Sequence, residues 1–106
     1  MSKLPTPFAG KPLQLADAEL LAGHLKAVAD PVRLQMLAML TADEMTTRDM
    51  TAALGRIGQP TVSHHLRILV EAGLVTRRRE SVFVWHALVE PGLDALAAAL
   101  NPGRRR

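Results

Sequence analysis

A mainly helical domain carrying a β-hairpin, in the arrangement of a winged helix-turn-helix, is the fold this sequence predicts. Three observations predict it. Two short helix-forming segments adjoin across a tight link: Thr46 to Gly55, then a second that opens Gln59-Pro60-Thr61-Val62-Ser63-His64-His65-Leu66-Arg67. After Ala72-Gly73, two strand-like runs surround the cluster Arg77-Arg78-Arg79. Within the second run, the β-branched and aromatic residues Val82, Phe83, Val84 and Trp85 favour strand over helix. Helix, turn, helix and basic ribbon, in that order, suit a DNA major groove and its flanking backbone.

Each element has a local reason. Residues 1–15 hold three of the seven prolines and show no periodicity, so they read as a flexible arm. From Asp17 an amphipathic helix follows, with Leu20, Leu21, Leu25 and Val28 on one face. Asp30-Pro31 starts the next helix, Asp as N-cap and Pro where a missing N–H costs nothing. That helix spreads Val32, Leu34, Met36, Leu37, Met39 and Leu40 around much of its girth, which predicts a central core helix. Thr46 and Asp49 make a capping-box-like start, and Gly55 a stop. In the helix from Gln59 to Ala72, Val62, Leu66 and Leu69 share the inward face, and Gly73 closes it. Val75–Arg79 and Val82–Leu88 form the predicted hairpin, with Glu80-Ser81 at or near its tip. A last helix is expected from Pro91 to about Leu100, striped by Leu93, Leu96, Ala97 and Leu100. The domain is thus expected over 16–100, with about five helices, and a basic tail over 101–106.

Composition narrows the function classes. The chain has 106 residues, 48% of them apolar and 22% charged, which is one domain with a modest core. The net charge of +3 is mild, but cations gather at Arg77–Arg79 and Arg104–Arg106 while the acids are scattered. No cysteine is present, which excludes disulfides, thiolate nucleophiles and cysteine-based metal or redox sensing. No run approaches the roughly 20 apolar residues of a membrane span, and the first twelve residues lack the apolar core of a signal peptide. A cytoplasmic protein is expected. An enzyme is not: adjacent His64 and His65 diverge by about 100° on a helix, and neither a nucleophile–base set nor a glycine-rich phosphate loop is present.

Three segments carry a family resemblance. Leu25-Lys26-Ala27-Val28-Ala29-Asp30-Pro31-Val32-Arg33-Leu34-Gln35-Met36-Leu37 resembles a signature of the ArsR/SmtB-type bacterial transcription regulators. Gln59 to Leu69 is similar to the recognition helix of that family, and Glu71-Ala72-Gly73-Leu74-Val75 to its lead into the wing. The match runs over residues 17–100 in the right order. The resemblance implies a homodimeric regulator that binds operator DNA and changes affinity with a signal, commonly a metal. It also departs from the family: the cysteine ligands of the arsenic and cadmium sensors are missing. Around Glu90-Pro91-Gly92 and Leu93-Asp94-Ala95-Leu96 a carboxylate remains, but the histidines of the zinc-type site are gone.

The candidate DNA-contacting residues are Gln59, Thr61, Ser63, His64 and Arg67 on the recognition helix, with Arg77, Arg78 and Arg79 on the wing. Gln pairs with adenine and Arg with guanine, while Ser and Thr reach phosphate oxygens. The plain alternative is a solvated polar face and charge run. Alternation puts Arg77 and Arg79 on one face of the wing and Arg78 on the other. His65 falls on the inward side as a structural, hydrogen-bonded histidine. His24, His86 and Glu90 are weak candidates for a nickel or zinc site, with ordinary buried or surface histidines the better reading. Apolar stripes on the first and last helices predict a homodimer, and a dimer reads a palindromic double-stranded operator. The rival is a winged-helix interaction module whose apolar helices bind a partner regulatory protein that does the sensing.

Overall fold

The computed structural model describes residues 14–90 together with Asp94 and Ala97. Its elements in chain order are α1 (Leu15–Val28), α2 (Pro31–Leu40), β1 (Met45–Thr46), α3 (Thr47–Leu54), α4 (Gln59–Glu71), β2 (Val75–Glu80) and β3 (Phe83–Leu88). The three strands form one antiparallel sheet in the order β1-β3-β2. The arm over residues 1–13, most of the predicted last helix and the tail over 101–106 lie outside the described residues; within that helix Asp94 and Ala97 are helical and exposed.

Caps mark the helix boundaries. α1 begins two residues before the expected Asp17 and takes in Leu15, its first turn closed by Ala18 N–H donating to the Gln14 carbonyl at 2.9 Å. At α2, Asp30 Oδ1 accepts from the backbone N–H groups of Val32 at 2.8 Å and Arg33 at 3.1 Å. Those two donors satisfy groups that helix geometry leaves bare. The Arg33 N–H foremost holds the Asp30 carboxyl below its ordinary range, with the Val32 N–H and nearby Arg33 and His65 adding to it. Thr46 Oγ1 accepts from Asp49 N–H at 3.0 Å and caps α3, and Gly55 ends that helix at φ 76°.

Thr46 also belongs to β1, which the sequence reading missed. Two residues are too few to show a period of two. The wing is therefore three-stranded, with Met45 opposite His86 and Thr46 opposite Trp85.

The α4 terminus shows how little of its geometry is free. Gly73 N–H donates to the Val70 carbonyl and Leu74 N–H to the Leu69 carbonyl, both at 3.0 Å, a Schellman closure with Gly73 at φ 81°. Leu74 is then buried, so the closure and the core form together.

The core is built by Met36, Leu37 and Leu40 of α2, Met50 of α3, Val62, Leu66 and Leu69 of α4, and Leu74 and Val75 leading into the wing. α2 is central as expected, but its girth is not wholly covered: Leu34 is 53% exposed. α1 buries Leu21, His24 and Ala27 and leaves Leu20 and Leu25 outward, so the predicted single face is split. Arg33 clasps three helices, its Nε donating to the Ala27 carbonyl at 2.6 Å and its Nη1 to His65 Nδ1 at 3.0 Å. His65 is thereby held half-buried on the inner flank of α4.

The hairpin register pairs Val75 with Leu88, Arg77 with His86, Arg79 with Val84 and Glu80 with Phe83. The turn is Ser81-Val82, one residue beyond the expected tip. Val82 is in the turn and not in the strand, because Ser81 takes the left-handed conformation at φ 58° that reverses the chain. Among the described residues no helix is long and apolar enough to cross a membrane.

Candidate nucleic-acid interface

With Val62, Leu66 and Leu69 in the core, the opposite surface of α4 faces outward. Gln59, Thr61, His64 and Arg67 are exposed there, and Ser63 is half-buried. Gln59, Ser63 and Arg67 recur at every fourth position, so they form one row along the helix. That row is one wall of a groove of about 530 Å³ between α4 and the wing. Arg77, Val82, Phe83 and Val84 of the wing line it from the other side, with Thr47 and Arg48 of α3 and the buried His86 also contributing. Thr61 and His64 lie on the outer surface of α4 but do not line the groove.

The electrostatics of this groove are one-sided. Arg48, Arg67 and Arg77 line it and no carboxylate does. Cations crowded without counter-charge favour an anionic occupant. Arg48 escaped the sequence reading because it belongs to no charge run. Its signal is positional, an arginine one residue into the helix that precedes the recognition helix.

The three wing arginines do not act as a set. Cross-strand pairing puts Arg77 and Arg79 on the face shared with His86 and Val84, as alternation predicts. Arg78 is on the other face, where its Nη1 donates to Glu44 Oε1 at 2.6 Å and its Nη2 to Glu80 Oε1 at 3.4 Å. Its guanidinium carbon stands 5.7 Å from the centroid of the Trp85 ring. Glu44 foremost, with Glu80, raises the Arg78 pKa above its ordinary value. Two carboxylates thus balance the charge of Arg78, and the residue ties the wing to the segment before β1.

His86 sits opposite Arg77 in the ladder and is 4% exposed, its Nδ1 without a hydrogen-bond partner. Burial first and Arg77 second push its pKa down, against a smaller upward pull from the Met45 backbone. His24 is also buried, in α1, again with Nδ1 unpartnered. Glu90 is exposed beyond β3. Among the described residues of one chain no three His, Asp or Glu side chains converge as metal ligands.

Comparison with known proteins gives a consistent answer. A family model described as a helix-turn-helix domain matches residues 28–78. The arsenical resistance operon repressor of Staphylococcus aureus is 35% identical over 77 residues, covering 73% of each chain. The SmtB repressor of Mycobacterium tuberculosis is 36% identical, over 92% of this chain and 74% of its own. Among solved structures, NolR from Sinorhizobium fredii superposes with a TM-score of 0.70 at 30% identity, covering 85% of this chain and 92% of its own. A possible transcriptional regulator for arsenical resistance gives 0.68 at 36% identity, covering 72% and 78%. The fold, the order of its elements and these relatives agree: the chain belongs to the ArsR/SmtB family of winged helix-turn-helix transcriptional regulators, which are DNA-binding proteins and not enzymes.

Proposed function

We propose that this chain binds a palindromic double-stranded operator as a homodimer and represses transcription by occluding polymerase. One observation carries the reading: the row Gln59-Ser63-Arg67 borders a groove lined by three arginines and no carboxylate, on a helix whose other side is locked in the core. In this reading α4 lies in the major groove. Gln59 and Arg67 read base edges, Thr61, Ser63 and His64 meet bases or phosphates, and Arg77 and Arg79 hold the backbone. Arg78 is left out of the DNA contacts, since Glu44 and Glu80 occupy it.

The homodimer is supported by apolar side chains that α1 and α2 leave uncovered, Leu15 at 74%, Leu20 at 43%, Leu25 at 39% and Leu34 at 53% exposure. A two-fold pair would set two α4 helices about one turn of DNA apart. A signal that changes this spacing would tune affinity, typically by about 1–3 kcal/mol of coupling. The reading needs no metal.

The test is fluorescence anisotropy on the duplex upstream of the chain's own gene against a scrambled duplex, in chelator and then with nickel or zinc. Specific binding in chelator is expected. Ser63→Ala with Arg67→Ala should weaken it by about 1–3 kcal/mol per lost base contact while the dimer persists. Equal binding to both duplexes, unchanged in the double variant, would sink the reading and favour the protein-interaction module.

A further inference from the structure

We propose that the groove between α4 and the wing also takes a small organic anion, an aryl carboxylate, and that this ligand and the operator exclude one another. The exclusion rests on the DNA-binding reading above; the ligand site does not.

The groove is graded in polarity from rim to base. Arg48, Arg67 and Arg77 are exposed along it, and no carboxylate lines it. Buried at its base are Leu66 and His86, 2% and 4% exposed, with Val70 and Val84 half-buried beside them. The strand register accounts for one wall: Arg77 pairs with His86 and Arg79 with Val84, so Arg77, Val84 and His86 share a face of the sheet. On α4, Ser63, Leu66, Arg67 and Val70 recur at three- and four-residue spacing and form the other wall. The volume of about 530 Å³ lies within the range of small-molecule sites, roughly 300–1,000 Å³.

The occupant follows from that grading. Guanidiniums without counter-charge favour an anion, and the planar fork of arginine matches a carboxylate. A bare inorganic anion would satisfy the rim and leave the apolar base uncovered. A neutral hydrocarbon would cover the base and gain nothing from the cations. An aromatic ring bearing a carboxylate answers both, with the ring against Val70 and Val84 and the charge at the arginine rim. In the DNA-binding reading the operator engages only the rim, through Gln59, Arg67 and Arg77, so the apolar base has no part in it. Because Arg67 and Arg77 serve both occupants, one must leave before the other enters.

The first experiment titrates the full chain, labelled at histidine and valine for nuclear magnetic resonance, with benzoate, cinnamate and naphthoate. At least one acid should saturate with half-occupancy at or below about 1 mM, ordinary efficiency for so small a ligand, and should shift His86, Val70 and Val84 most. The corresponding alcohol keeps the ring without the charge, and should bind about tenfold more weakly, the loss of one charge-assisted hydrogen bond. Val70→Trp fills the base, removes no cation and should abolish saturation. Arg77→Gln should weaken the acid by about tenfold and leave the alcohol unchanged. Circular dichroism melts check that both variants fold, and Arg77→Gln decides alone if Val70→Trp does not. No saturation by any of the three acids would overturn the ligand site, as would shifts confined to other surfaces or an alcohol that binds as well as its acid. Undiminished binding to either folded variant would overturn it too.

The second experiment measures affinity for a duplex selected from a random pool, at constant ionic strength because salt alone weakens DNA binding. At about ten times its own dissociation constant the acid should weaken the duplex about elevenfold by mass action. Unchanged affinity with the acid bound would overturn the exclusion. Selection of no duplex over random DNA, with the acid still binding, would overturn the DNA-binding reading and the exclusion with it while upholding the ligand site.

Discussion

α1 and α4 both carry apolar residues at helical spacing, and the fold treats them oppositely. On α4, Val62, Leu66 and Leu69 are 0%, 2% and 0% exposed. On α1, Leu21 and Ala27 are buried while Leu20 and Leu25 keep 43% and 39% exposure. The difference lies in the partners each helix meets within the chain. α4 packs against α1, α2, α3 and β2, so its stripe is covered from several sides; among the described residues α1 meets only α2 and α4 by more than passing contact. A stripe in a sequence therefore says that a face seeks cover. It does not say which chain supplies it. α4 is anchored in the core, and the outer face of α1 carries the uncovered leucines on which the proposed homodimer rests.

The comparison can be broken most forcefully at α4. Leu66→Ala removes a fully buried side chain and should cost about 2–5 kcal/mol in urea unfolding at fixed protein concentration; a loss below about 1 kcal/mol would mean that α4 is not anchored as described. Leu25→Glu acts on the other helix. It should weaken the dimer by roughly thirtyfold in sedimentation equilibrium, the effect of an interface hot spot, while far-ultraviolet circular dichroism stays the same. An unchanged dimer would remove α1 from the interface.

His86 sharpens the contrast through pH. Its folded pKa lies below the ordinary 6.5 because burial disfavours the imidazolium. In the window between the two values the unfolded chain binds more protons, so stability rises with pH there. The contribution of His86 is complete above pH 6.5, is lost as the pH falls below it, and levels off under the folded pKa. Thermal melts from pH 7.5 to 5, followed by Trp85 fluorescence, should show this acid loss, and His86→Gln should flatten it. The smallest effects separate two neighbours in the wing. Arg77→Ala should lower the salt slope of DNA binding by about one, whereas Arg78→Ala should leave the slope alone and shift Trp85 emission instead. Equal slopes in the two variants would mean that the faces of the wing are not distinct in function.

Much of this fold is legible in the sequence because its signals are local. Asp30-Pro31, Thr46 with Asp49, Gly55 and Gly73 mark helix ends by capping chemistry that a few neighbouring residues complete. The candidate site is legible for a related reason: once Val62, Leu66 and Leu69 point inward, helical geometry puts Gln59, Ser63 and Arg67 on the outside. What escaped is non-local. β1 has two residues and exists only because β3 offers it a ladder. Arg78 resembles Arg77 and Arg79 until Glu44, 34 positions away, comes within 2.6 Å of it. Arg48 joins the groove only when α3 packs beside α4.

The linear chain is sufficient to establish the order helix-turn-helix-wing, the inward residues of α4, the alternation of the wing and the absence of thiolate chemistry. Each follows from periodicity, capping or composition, which act over a turn or a strand. Folding decides which cations stay available to an anion, which histidines are buried without a partner, and which leucines remain outside. Those outcomes depend on distances between residues far apart in the chain, and burial and charge pairing act through such distances.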